Sequence, residues 1–150
     1  MMQLSFLCPV HREWVYFHSQ TALFYLEGAR EKGEAFMEKN DWQEALPFLG
    51  RAFETTEILL EVQGAEKPFL LSRLTSLSIL IAKIFNQLGK RHYGRLILIQ
   101  AEKRLQNVVT ISLGQKLLLS HVLQCIVSVT TCIKQHAFSS NEMLGIAKSY

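Results

Sequence analysis

Apolar positions in the first forty residues recur every three or four places. Trp14, His18, Ala22, Tyr25, Ala29, Gly33 and Phe36 form one stripe. That spacing is one face of an α-helix and predicts a helix over about 12–39. Asn40 and Asp41 make a turn, and Asp41 with Glu44 three residues on has the form of an N-terminal cap. The second helix this opens runs to about residue 62 and stops at Gly64. Pro47 falls in its second turn, where a proline removes one backbone hydrogen bond. Pro68 suits the first turn of a third helix that ends near Leu88, with Gly89 as its stop. A fourth helix covers about 91–105 and a fifth about 109–135, with Gly114 as a candidate break. Ser139, with Glu142 three residues on, caps a short terminal helix. The expected class is all-α, in one domain over 1–150.

Side-chain size adds a second pattern. Gly33, Ala45 and Ala52 are small, while Phe36, Trp42, Leu46, Leu49 and Phe53 are large and apolar. Small residues let two helices approach and large ones fill the space beside them. Ala82, Gly94 and Ala101 repeat the small positions at the same internal spacing, and Phe85 takes the place of Phe36. Two helical pairs follow, about 12–62 and 68–105, with a C-terminal packing helix at about 109–135.

On these residues the chain resembles the tetratricopeptide repeat (TPR), well over Ala29–Glu54 and more weakly over Ser78–Leu105, about a third of the sequence. Lys32 stands where the family has an apolar residue, and Glu57 where a proline normally ends the repeat. The two units are offset by about fifteen residues more than the family period of 34. The resemblance implies TPR-like hairpins forming a right-handed helical bundle or short solenoid that binds other proteins. Its expected partner-binding face, on the first helix of each pair, carries Arg30, Glu34, Met37 and Glu38, then Lys83, Asn86 and Gln87. Asn86 and Gln87 suit backbone amides and Lys83 a carboxylate. Glu34 and Glu38 do not fit recognition of a C-terminal carboxylate, and polar residues on a helix face are more often simply solvated.

The hydrophobic content of 49% and the charged content of 19% indicate a folded chain rather than a disordered one. The N-terminal residues lack the positive start and cleavage pattern of a secretory signal. The longest uncharged stretch, Leu117–Ile133, carries Ser120, His121, Gln124, Ser128, Thr130 and Thr131. Such polar residues suit a packed helix better than a membrane span. Three cysteines make no disulfide framework and suit a reducing, cytoplasmic setting.

Charge is uneven. Glu27–Glu66 holds ten acidic and four basic residues, a net of −6, and Lys83–Arg104 holds six basic and one acidic, a net of +5. Such opposite surfaces either steer a partner or offset one another within the fold. Lys90, Arg91, His92, Tyr93 and Arg95 form too small a basic group to indicate nucleic acid.

Ser120, Gln124, Ser128, Thr131 and Gln135 lie along one stripe of the fifth helix, flanked by apolar residues. A solvated stripe normally holds charges, so this helix is either packed inside the chain or covered by another chain, with a homodimer as one form. Cys8 with His11, and His121 with Cys125, have spacings that could chelate zinc, although buried thiols and singly bonded histidines are commoner. No phosphate loop, nucleophile elbow or paired histidine–glutamate motif is present, so neither catalysis nor a cofactor is expected. The resulting expectation is a cytoplasmic adaptor or small chaperone-like regulator that binds a protein or peptide. The alternative is a structural subunit that assembles through its C-terminal helix.

Overall fold

Six helices follow one another: α1 (Pro9–Phe17), α2 (Ser19–Glu38), α3 (Trp42–Gln63), α4 (Pro68–Gln87), α5 (Arg91–Ile111) and α6 (Lys116–Lys148). The computed structural model describes the backbone of residues 4–65 and 67–148 and the side chains of residues 4–65 and 67–135. Among the described residues there is no strand.

The same turn closes both central hairpins. In the first, the Asp41 N–H donates to Phe36 O at 2.9 Å and the Asn40 N–H to Met37 O at 2.9 Å. In the second, Lys90 N–H donates to Phe85 O at 2.7 Å and Gly89 N–H to Asn86 O at 3.1 Å. This is the Schellman close, which needs one residue in the left-handed region. Asn40 supplies it at φ 60° and Gly89 at φ 74°, two residue types that accept positive φ. The small positions read from the sequence are points of close approach. A Cβ on Gly33 would stand 2.5 Å from Leu49 Cγ, and one on Gly94 only 3.1 Å from Ala82 Cα. Ala45, Ala52, Ala82 and Ala101 have no exposed surface.

Each helix from α2 onward packs on the next, and α4 also meets α6. With connections this short, successive helices run antiparallel and alternate helices parallel. Side chains tie the alternate helices together: Arg73 of α4 bonds Glu27 of α2, and Gln100 and Arg104 of α5 bond Glu57 of α3. α1 lies across α3 and the start of α2. As a result α3 is enclosed on every side, and all nine residues from Ala52 to Leu60 are buried.

Three boundaries and one cap differ from the sequence reading. The helix expected over 12–39 is two helices, broken at His18, whose backbone sits at φ −130°, ψ 50°. Its ring stacks on Trp14 with centroids 5.5 Å apart, and the break turns Val15 and Arg12 towards α3. Asp41 occupies the N-cap of α3 but makes no side-chain cap bond. α5 runs past 105 to Ile111, because buried Val108 continues the row Ile97, Ala101, Leu105. The following turn sits at Ser112, whose Oγ bonds Val108 O at 2.9 Å, so residues 109–111 belong to α5 and not to the last helix. Finally, the backbone of α6 is one helix through Lys148, and Ser139 lies inside it instead of opening a separate helix.

Candidate functional site

On the α2–α4 face the predicted residues are divided. Arg30 is engaged within its own helix: Nη2 donates to Glu27 Oε2 at 3.0 Å and Nη1 pairs with Glu34. Glu27 in turn accepts Arg73 Nε at 2.6 Å and Nη2 at 3.0 Å, which fastens α2 to α4. Met37 is half-buried against the core, and Asn86 accepts Arg91 Nε at 2.6 Å. Glu38, Lys83 and Gln87 are exposed. Arg30 and Glu34 are therefore paired with each other, and the side-chain carbonyl of Asn86 is taken by Arg91.

The outer face of α6 is different. Leu118, Val122, Cys125 and Val129 point inward and are buried. Ser120, Gln124, Ser128, Thr131 and Gln135 are all exposed, so burial within the chain does not explain this uncharged stripe. Between them stand Leu117, Leu123 and Val127, exposed at 88%, 46% and 63%. Ile111 and Leu113 beside the α5–α6 turn extend the apolar surface, at 54% and 67%. Two helices, Pro68–Gln87 and Lys116–Gln135, are long and apolar enough to cross a membrane; over an apolar stretch of 18 residues, 56% of the first is buried inside the bundle and 22% of the second.

A third feature had no counterpart in the sequence reading. Glu54, Thr55, Thr56 and Glu57 look like an exposed polar turn, yet all four are buried. Thr55 and Thr56 return their hydroxyls to Arg51 O and Ala52 O at 2.7 and 2.8 Å. Glu54 receives Arg12 Nη1 at 2.9 Å, the Leu7 N–H at 3.2 Å and also the Phe6 N–H. Glu57 receives Gln100 Nε2 at 2.9 and 2.8 Å and Arg104 Nε at 2.5 Å. Leu4, Ser5, Arg12, Glu54, Glu57 and Arg104 surround a pocket of about 310 Å³. The one available sequence signal was the separation of about 45 residues between these glutamates and basic partners on neighbouring helices, invisible without the helix packing.

The two carboxylates that join helices titrate in opposite directions. Burial, the largest influence on Glu57, raises its pKa above the ordinary 4.5; Arg104 and Gln100 oppose it and Glu54 adds to it. Burial also acts to raise Glu27, but the hydrogen bonds and charges of Arg73 and Arg30 together outweigh it and lower the pKa. The folded state thus holds a proton on Glu57 more readily than the unfolded state does. Its contribution to stability is present at acid pH and is lost as pH rises from 4.5 through the raised value. For Glu27 the contribution is present above 4.5 and lost as pH falls through the lowered value. Urea midpoints measured from acid to neutral pH for wild type, Glu57→Gln and Glu27→Gln test this. With rising pH, wild type is expected to lose stability relative to Glu57→Gln and gain it relative to Glu27→Gln; equal slopes would refute the assignment.

Cys8 and His11 are a pair, Sγ to Nδ1 3.4 Å, and Cys125 Sγ lies 3.8 Å from His121 Nε2. The first pair lies at α1 and the second on α6, and among the described residues no group of three or more His, Cys, Asp or Glu is placed to hold a metal. His121 is instead bonded towards α4, 3.0 Å from Ser72 Oγ and 3.1 Å from Pro68 O.

No protein family, characterised protein or solved structure matches this chain.

Proposed function

We propose that this chain is a protein–protein interaction module, an adaptor or small chaperone-like regulator, that receives a partner helix on the outer face of α6. One observation carries the reading: Leu117, Leu123 and Val127 are open to water on a face with no charge between Lys116 and Lys134. Exposed apolar patches of this kind are characteristic of interaction sites. An amphipathic helix laid along α6 would cover them at i, i+3, i+4 and i+7 spacing. The row Ser120, Gln124, Ser128 and Thr131 favours protein over lipid, since a partner's polar groups can bond a glutamine amide and hydrocarbon cannot. Glu38, Lys83 and Gln87 are exposed on α2 and α4, apart from this face. Cysteines that form no disulfide among the described residues, with Cys8 exposed, suit the reducing cytoplasm.

Self-assembly through the same helix is the second reading, favoured by Gln124. A glutamine amide is both donor and acceptor, so two copies crossing antiparallel at Gln124 would satisfy each other across a two-fold axis.

A photo-crosslinker at Ser128 tests both. In the native host, a single adduct of defined mass is expected, abolished by Leu117→Asp with Val127→Asp and unaffected by Lys83→Ala. An adduct at twice 17.2 kDa would identify the self-assembling subunit. No adduct, with the protein folded, would rule out α6 as an interface.

A further inference from the structure

The segment Leu4–Leu7 reaches α3 as a peptide reaches a receptor. It forms neither helix nor strand, and its Phe6 and Leu7 N–H groups both donate to the Glu54 carboxylate, one to each oxygen. Glu54 is only 3% exposed and is held in place by Arg12 Nη1 at 2.9 Å. Two successive backbone donors on one fixed carboxylate recognise the main chain, whatever the side chains.

Side-chain selection comes from the walls. The Phe6 ring lies over Gly50, where a Cβ would stand 2.2 Å from Phe6 Cδ1. Only glycine leaves that notch open to an aromatic ring. Leu7 enters the core and is 4% exposed. Under Leu4 and Ser5 the packing is not closed, because these residues line the pocket of about 310 Å³ with Arg12, Glu54, Glu57 and Arg104. Main-chain hydrogen bonds for affinity and pockets for alternate side chains are how extended peptides are bound.

We propose that Gly50 and Glu54 of α3, with Arg12 of α1, form a second peptide-binding groove, occupied by the chain's own Leu4–Leu7 segment. The partner segment that fits it is extended and carries an aromatic residue followed by leucine. The tethered segment competes at an effective concentration of roughly millimolar. The groove is therefore closed to weak ligands and opens to one that binds more tightly, or when its own segment is displaced. This groove is independent of the α6 face, on the other side of α3 and α5 from it in the helix order.

The test uses the full chain and a fluorescent peptide, Gln-Leu-Ser-Phe-Leu-Ser. Phe6→Ala weakens the resident segment and is expected to bind the peptide at least about tenfold more tightly than wild type does, as removal of a tethered competitor requires. Adding Gly50→Ala to Phe6→Ala supplies the control. With the Phe6 ring gone the new methyl has space, so the double variant keeps its helicity and melting point, but the incoming ring is blocked and peptide binding is lost. A folded Phe6→Ala chain that leaves the peptide unbound at about 1 mM, the weak limit of specific affinity, overturns the proposal. So does equal binding by the double variant. If Phe6→Ala does not fold, Phe6→Leu, which keeps an apolar side chain, takes its place without the Gly50 change: tighter peptide binding than wild type is expected, and no binding at about 1 mM overturns the proposal.

Discussion

Phe53→Ala is expected to lower the unfolding free energy by about 3–5 kcal/mol, the cost of deleting a large buried aromatic and leaving a cavity. Phe53 has no exposed surface and belongs to the run Ala52–Leu60, which is buried at every residue. Along that run α3 has neighbours on all sides: α2, α4, α1 and, through Glu57, the side chains of α5. Phe53 itself is closed off from solvent, so collapse of the cavity has to move packed helices. For a chain of this length each kcal/mol corresponds to about 2–4 °C, and a fall of about 10 °C in Tm follows. In urea the midpoint should drop with the slope unchanged. A loss below about 1 kcal/mol would mean that α3 is not enclosed.

Glu54→Ala has the next largest expected effect, about 2–4 kcal/mol. Hydrogen bonds to a charged group contribute about 1.5–3 kcal/mol each, and Glu54 accepts three, from Phe6, Leu7 and Arg12. Their sum overstates the loss for two reasons. Arg12 is 41% exposed and regains water when its partner goes, and the adjoining pocket lets water reach the two freed amides. The signature is local as well as global: amide exchange at Phe6 and Leu7 should accelerate far more than at Leu74 in the centre of α4. Uniform acceleration across the chain would show that Glu54 supports α3 itself and not the N-terminal segment.

The legible and illegible parts of the molecule separate by range. Residues that act within one turn or one hairpin were readable: Asn40 and Gly89 at the turns, Gly33 and Gly94 at the close approaches, Pro68 at the start of α4. Polarity misled where it met distant partners. Glu54 and Glu57 look solvent-facing, and only the arrival of Arg12 and Arg104 from other helices makes their burial tolerable. His18 keeps the periodicity of a helical stripe; the break there comes from backbone angles that no apolar pattern reports. On α6 the sequence shows a stripe without charges, and the fold adds that it is exposed. On α2 and α4, Arg30 and Asn86 looked free because Glu27, Glu34 and Arg91, their partners, sit elsewhere on the same helices or across a turn.

The neighbour-to-neighbour order of the helices also governs how the protein comes to be folded. Each hairpin closes between segments adjacent in the chain, so assembly can proceed vectorially during synthesis, with short loops and little search. α3 is the exception, because its far side stays uncovered until α4 and α5 have emerged. During that interval Glu57 keeps the uncovered side of the nascent helix hydrated, and its later capture by Gln100 and Arg104 makes the completed structure the one that conceals it.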